Sequence, residues 1–372
     1  MISMQHEVDM GHKHKHRKHR RIGREERKTF LILMVAAVVI VLGAGAYGYH
    51  SAISAREKTV RRIENADSAS STSAYGVSAN KNAISSATST TAIVDNFDGT
   101  ITYKGVTYKP NTSIETVLFL GIDDSDQTRQ GVGIDEGGRS DTMILFIIDK
   151  DKELITPLEI NRDTMVGVDI YNNDGEFLYT GQEQITMQYS YGRSAREACN
   201  LTKQKVADLL MRTRINNVVS LTMDGIEPSV DAIGGVTLQL QSDETDLDPM
   251  YTKGAIITLN GKEALDFVHT RDVETRGSNI DRMSRQTQFM LALSQTARQR
   301  GTGVISVMEE AAGDYLYEDM SADIADCFAK YAASDTVYML PGENVEGVLH
   351  DEFYVDNNEL IKMVIQLFYV EN

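Results

Sequence analysis

Apolar and polar positions alternate along this 372-residue chain in three distinct ways, and each predicts a different element. The first is an uninterrupted run without a charge, Phe30–Tyr49 ("FLILMVAAVVIVLGAGAYGY"). As a helix rising 1.5 Å per residue it reaches about 30 Å, the thickness of a bilayer core. The second pattern is the short, nearly continuous apolar run: "TVLFLGI" (116–122), "TMILFII" (142–148) and "ELITPLEI" (153–160). Such runs predict strands covered on both faces. "NVVSLTM" (217–223) and "GVTLQL" (235–240) predict two more. The third is helical spacing. It marks residues 196–213, with Val206, Leu209 and Leu210 on one face, a long helix over about 280–300, a short one around 225–233 and a last one over 357–369. Asn260, with Glu263 three residues on, predicts a capped helix start.

Between these runs lie polar stretches of two kinds. Residues 66–92 are almost entirely Ser, Ala, Thr and Asn, too poor in apolar surface to fold, and predict a flexible spacer. "GTITYKGVTYKP" (99–110) predicts a hairpin turning at Lys-Gly. The expected organisation is a basic tail (1–29), a transmembrane anchor (30–49), a flexible linker (50–98) and a folded domain (99–372) whose motifs span 116–293. Strands interleaved with helices predict an α/β fold: a mixed central sheet with helices on both faces, a layered α-β-α domain. The anchor and a disordered linker precede it.

Charge sharpens this organisation. The first 28 residues carry nine Lys/Arg against four acids, so the positive-inside rule puts the N-terminus in the cytoplasm and the domain outside the cell membrane, as a single-pass protein. A cleaved signal peptide is the alternative, left open by the small residues around Ala44–Ala46. The basic tail suits contact with anionic lipid. The remainder, with 28 basic and 50 acidic side chains, stands at about −22, which argues against nucleic acid as a partner. Cys199 and Cys327 could pair outside the cell or remain thiols.

The chemistry collects where strands end. The loop after the second strand is short, so the second and third strands pair antiparallel. If the first does likewise, three segments meet at one sheet edge: "GIDDSD" (Asp123, Asp124, Asp126), "GRSD" (Arg139, Asp141) and "NRDT" (Arg162, Asp163). They could neutralise one another as a surface network, or bind an anion. In "NIDRMSRQ", Arg282, Arg285 and Gln286 fall on one face near the start of the long helix, where an anion is favoured. "DFVHTRD" adds His269 and Arg271, with His269 read as a helix-end residue. Arginine forks suit phosphate oxygens, and carboxylates suit the Mg²⁺ that bridges them.

The motifs "LFLGIDD", "GRSDTMILF", "INRDTM", "DGIEPSVDAIGGVTLQL" and "LNGKEALDFVHTRDVETRGSNIDRMSRQ" resemble, in order, those of the LytR-CpsA-Psr family of membrane-anchored cell-wall proteins. The resemblance implies a Mg²⁺-dependent phosphotransferase that moves a glycopolymer, such as teichoic acid or capsule, from a polyprenyl-pyrophosphate carrier to peptidoglycan, with a pocket for the polyprenyl chain. It implies Asp123 and Asp141 as metal carboxylates. Arg139, Arg162, Arg271, Arg282 and Arg285 would surround the pyrophosphate, with Gln286 completing the last motif. Arg139, Arg162, Asp163 and Arg271 are the expected catalytic residues, Asp163 either orienting Arg162 or serving as a base. The chain departs from the family pattern at His269, where Arg is usual, at Asn279, where Asp is common, and at Gln184, where Lys is common. The alternative is a non-catalytic, membrane-tethered binder or sensor of polyprenyl phosphates that regulates the envelope.

Overall fold

The three longest apolar runs of the second kind become the centre of one sheet. A computed structural model describes residues 93–96, 99–124, 137–270, 278–301, 303–347 and 350–372. The tail (1–29), the anchor (30–49), nearly all of the expected linker and Arg271 lie outside the described residues. Among the described residues no helix is long and apolar enough to cross a membrane.

Short strands β1 (Val94–Asp95), β2 (Ile101–Tyr103) and β3 (Val106–Pro110) come first. The hairpin turns at Lys104–Gly105, both at positive φ, as its Lys-Gly pair predicts. Strand β1 pairs with β2 inside the span read as linker, so regular structure starts a few residues earlier than residue 99. Then come β4 (Ile114–Ile122), β5 (Ser140–Asp149) and β6 (Leu154–Glu159), paired antiparallel in sequence. All ten residues of β5 are buried, because both faces of the sheet are covered.

Strands β7 (Met165–Tyr171) and β8 (Phe177–Gln184) form a separate hairpin. Helix α1 (Ala195–Leu209) leads to β9 (Asn217–Thr222), which runs parallel to β4. Helix α2 (Ile226–Ala232) is followed by the small ribbon of β10 (Val236–Gln239) and β11 (Ile256–Leu259). Helix α3 (Gly261–His269) starts with the expected capping box: the Glu263 amide donates to Asn260 Oδ1 at 3.0 Å and the Asn260 amide to Glu263 Oε2 at 2.9 Å. Helices α4 (Ser278–Arg300) and α5 (Gly303–Ala312), strand β12 (Leu316–Asp319) and helix α6 (Ala322–Lys330) follow. Strands β13 (Ala332–Ala333) and β14 (Tyr338–Met339) both lie parallel to β6, giving the mixed order β12-β9-β4-β5-β6-β13 with β14 also on β6. The hairpin of β15 (Gly342–Glu346) and β16 (Asp351–Val355), helix α7 (Asn357–Phe368) and β17 (Tyr369–Glu371) close the chain, β17 pairing with β3.

Alternation along β4 and β5 divides the core in two. Leu118, Leu120, Met143 and Leu145 pack against Val206 of α1 and Leu360 and Val364 of α7. Val117, Ile144, Phe146 and Ile148 face Ile324 and Cys327 of α6. The two cysteines therefore sit in different clusters, Cys199 in the first and Cys327 in the second, and both are buried free thiols. This closes the disulfide alternative.

Candidate active site

Antiparallel pairing of β4, β5 and β6 brings the end of β4, the start of β5 and the end of β6 to one sheet edge. Two glycines let the chain enter β5 closely. Gly138 holds φ at +64°, and a Cβ on Gly137 would lie 2.1 Å from the Ser190 carbonyl oxygen. Ser190 Oγ then donates to the Gly138 carbonyl at 2.6 Å, fixing the strand start that carries Arg139 and Asp141.

At this edge the acids and arginines interlock. Arg139 Nη2 donates to Asp123 Oδ2 at 2.8 Å, and its Nε stands 3.8 Å from Asp141 Oδ1. Arg162 Nη1 donates to Asp141 Oδ2, and Arg282 Nη2 approaches the same oxygen at 3.6 Å. Thr186 Oγ1 donates to Asp141 Oδ1 at 3.3 Å. The Asp141 side chain is only 5 % exposed, as is that of Arg282, while Asp123 and Arg139 are 37 % and 36 % exposed. The site thus has a buried floor of Asp141, Arg162 and Arg282 under an accessible rim of Asp123 and Arg139. A buried carboxylate is tolerable here because three guanidinium groups surround it. Burial pushes Asp123 up, but the Arg139 hydrogen bond and the charges of Arg139, His269 and Arg162 outweigh it and hold the carboxyl below its usual range. Burial likewise opposes the Arg139 charge, and the Asp123 hydrogen bond with the Asp141 and Asp123 charges overcomes it, raising the guanidinium.

Asp163 sits beside this floor in a set of donors. Gln184 Nε2 donates to its Oδ1 at 2.6 Å, Asn279 Nδ2 to its Oδ2 at 3.0 Å, and Arg162 Nε stands 3.4 Å from Oδ1. Two amide donors and a guanidinium thus surround this carboxylate. Asn279 also accepts from Arg282 Nη2 at 2.9 Å, so one side chain links Asp163 to the long helix. Two of the three departures noted in the sequence, Gln184 and Asn279, therefore meet on opposite oxygens of one carboxylate.

Arg285 does something else. Expected among the phosphate-binding arginines, it donates through Nη1 to Glu244 Oε2 at 2.9 Å, through Nε to the Phe267 carbonyl at 2.9 Å, and through Nη2 to the Thr270 carbonyl. The reason is helical geometry: three residues advance a helix short of a full turn, so Arg285 is rotated about 60° from Arg282. That offset carries it onto the C-terminal carbonyls of α3, which lack donors of their own. Gln286 likewise donates Nε2 to the Val268 carbonyl at 3.0 Å. Glu244 and Arg285 are 6 % and 5 % exposed. Arg285→Met is expected to destabilise the fold by about 3–5 kcal/mol, since it strands a buried carboxylate. Urea unfolding measures this, and a loss below about 1 kcal/mol would show that the pair is dispensable.

Next to the cluster, an apolar cavity lies between the sheet and helices α4, α5 and α6. Phe119, Val219, Phe289, Leu293, Met308 and Phe328 are among its walls. Thr142, which follows Asp141, and Gln286, one turn on from Arg282, line its head. Among the described residues no three His, Cys, Asp or Glu side chains form a group that could hold a metal ion alone. Asp123 and Asp141 flank the Arg139 guanidinium and offer hard carboxylate oxygens, which suits Mg²⁺ completed by phosphate and water oxygens.

Fold and site together define an α/β domain with a buried arginine–aspartate cluster at the head of an apolar cavity. The LytR_cpsA_psr family model matches residues 71–363, and the chain belongs to that family. It is 26 % identical over 265 residues to the polyisoprenyl-teichoic acid–peptidoglycan teichoic acid transferase TagU of Oceanobacillus iheyensis, covering 69 % of this chain and 75 % of that protein. A probable cell wall biosynthesis protein, LcpB of Corynebacterium glutamicum, is 31 % identical over 193 residues, 49 % of this chain and 40 % of its own length. Among solved structures, TagT bound to LI-WTA superposes with a TM-score of 0.53 at 20 % identity, covering 69 % of this chain and 90 % of that one. That likeness establishes the shared fold.

Proposed function

We propose that this protein is a membrane-anchored phosphotransferase that attaches a glycopolymer, carried on polyprenyl pyrophosphate, to peptidoglycan outside the cell. One observation carries the reading: a cluster of guanidinium groups lies beside an apolar cavity whose wall includes Thr142, the residue after Asp141. A ligand fitting both has an anionic head and a hydrocarbon tail. Relatives named as transferases of teichoic acid from polyisoprenyl carriers to peptidoglycan support the same donor and acceptor. The cavity walls exclude water and hold the chain, while Arg139, Arg162 and Arg282 grip the phosphates.

In the reaction an acceptor hydroxyl oxygen attacks the phosphorus on the glycan side, forming a new P–O bond. The bond to the bridging oxygen breaks and polyprenyl phosphate leaves, its added negative charge resting against the arginines, while the hydroxyl proton passes to solvent or to the departing phosphate oxygen. Catalysis of this kind is mostly positioning and charge neutralisation. Asp141 orients Arg162 from the floor, and Asp163 holds the Asn279–Arg282 link from the side. Asp123 and Asp141 would hold Mg²⁺, which supplies additional neutralisation of the phosphate oxygens when bound. The anchor at Phe30–Tyr49 keeps the domain within reach of a membrane-borne donor.

The cavity assignment has its own test. Leu293→Trp narrows the tunnel without touching the arginines. The KM for a long-chain polyprenyl donor is expected to rise at least tenfold, and that for a ten-carbon donor much less. Equal changes for both would remove the cavity from lipid binding.

A further inference from the structure

The β7–β8 hairpin is rooted in the site at both ends. Strand β7 leaves directly after Asp163 and Thr164, and β8 returns at Gln184, whose amide holds Asp163. The following residues then pass back along the site: the Ile185 amide donates to the Thr164 carbonyl at 2.8 Å and the Thr186 amide to the Arg162 carbonyl at 3.3 Å. From this base the arm extends roughly 20 Å. Its far end carries the largest run of exposed apolar side chains in the described residues: Phe177, Leu178 and Tyr179, at 56, 54 and 57 %. Tyr171 packs edge-to-face on Phe177 with centroids 5.8 Å apart, so two rings share that end. Exposed aromatic patches of this kind mark binding surfaces.

The turn says what the surface does not bind. It is tightly built: the Asn172 side-chain oxygen accepts from the Asp174 and Glu176 amides, and its Nδ2 donates to Glu176 Oε2 at 3.0 Å. To bury Phe177–Tyr179 in a bilayer, the carboxylates of Asp174 and Glu176 would have to enter first, at a cost of several kcal/mol. Their charge, offset in part by the Arg193 guanidinium that donates to the Asp174 carbonyl at 3.0 Å, disfavours anionic headgroups. Rings set among amide, hydroxyl and carboxylate groups, including exposed Thr180 and Gln182, instead suit a sugar chain. Pyranose rings lay their C–H faces on aromatic rings, and their hydroxyls donate to acids and amides.

We propose that the β7–β8 hairpin is a docking arm for the glycan strand of the acceptor, which it leads along its length to the arginine cluster. This rests on the transferase reading, because it is that reading which calls for a glycan acceptor. The test uses the full chain in nonionic detergent, sedimented with purified peptidoglycan sacculi stripped of attached polymers. Phe177→Ala with Tyr179→Ala is expected to weaken pelleting at least tenfold, while Phe177→Tyr with Tyr179→Phe stays within twofold of wild type. Circular dichroism confirms that each pair of substitutions leaves the fold in place. An alanine pair that pelleted like wild type would overturn the proposal.

The chain contains no tryptophan, so Leu178→Trp places a single emitter at the tip. Soluble glycan strands are expected to shift its emission, and brominated lipids in nanodiscs to leave it unquenched. Quenching by lipid without a response to glycan would make the arm a membrane contact and overturn the proposal. Neither readout needs turnover. Ring-dependent glycan binding by a chain that transfers nothing would support the arm and sink the transferase reading. Transfer that survives loss of the rings, with the acceptor KM unchanged, would sink the arm alone.

Discussion

Arg162→Ala is expected to lower transfer by about 10²–10³-fold, the cost of removing one preorganised donor to a developing phosphate charge. The side chain sits on the floor of the cluster with its guanidinium on Asp141 and beside Asp163. Removing it also leaves Asp141 underpaired, and an unfolding measurement should show a loss of up to about 3 kcal/mol. Arg139 at 3.8 Å and Arg282 at 3.6 Å remain near that carboxylate and keep the loss from being larger. Stability and chemistry can be separated. Arg285→Met should destabilise comparably, yet lower activity far less per folded molecule. Arg162→Lys should fall between, keeping charge and losing the bidentate geometry. Transfer by Arg162→Ala within threefold of wild type would take the cluster out of the reaction.

The second large effect is expected at Asn279, and it is a coupled one. Asn279 donates to Asp163 at 3.0 Å and accepts from Arg282 at 2.9 Å, an arrangement that only an amide provides. Asn279→Asp sets a second carboxylate against the first, a repulsion of about 5 kcal/mol at an effective dielectric near 20. The site would relieve it by protonation or by displacing Arg282, and transfer is expected to fall at least 100-fold. Gln184→Lys adds a cation to the opposite oxygen of Asp163 and, alone, is expected to lower activity about tenfold. Together the two substitutions restore the local charge balance. The double variant should recover at least tenfold over Asn279→Asp, a roughly 100-fold departure from additivity, or about 2.7 kcal/mol of coupling. Purely additive losses in transfer rate and melting temperature would show that the two amides do not act through Asp163.

How much of this could be read in advance follows from the range of each interaction. Strands β4, β5 and β6 were legible because a strand covered on both faces leaves a continuous apolar run; the short turn after β5 fixes its pairing with β6, while the pairing of β4 with β5 across a long loop was only conditional. That pairing alone delivers Asp123, Arg139, Asp141, Arg162 and Asp163 to one edge. The partners of Asp163 were not legible. Gln184 and Asn279 lie 21 and 116 residues away in sequence and reach it only through tertiary packing. Arg285 was misplaced because a spacing of three puts two side chains near one face without giving them one direction. Its acid, Glu244, stands in a polar loop with no periodic signal. The cavity escaped for a different reason: Leu, Phe, Val and Met line a tunnel and fill a core with the same sequence pattern. The short strands β13 and β14 were hidden likewise, since two residues are too few to show a period of two.

One measurement bears most directly on the central claim. The full chain is incubated with a polyprenyl-pyrophosphate-linked glycan and peptidoglycan oligomers, with Mg²⁺ or with chelator, and the joined product is followed by mass spectrometry. Product that requires Mg²⁺ and disappears in Arg162→Ala is the expected result. Tight binding of the lipid-linked donor with no joined product, across teichoic acid and capsule donors alike, would contradict it and leave the protein a binder or sensor of polyprenyl phosphates.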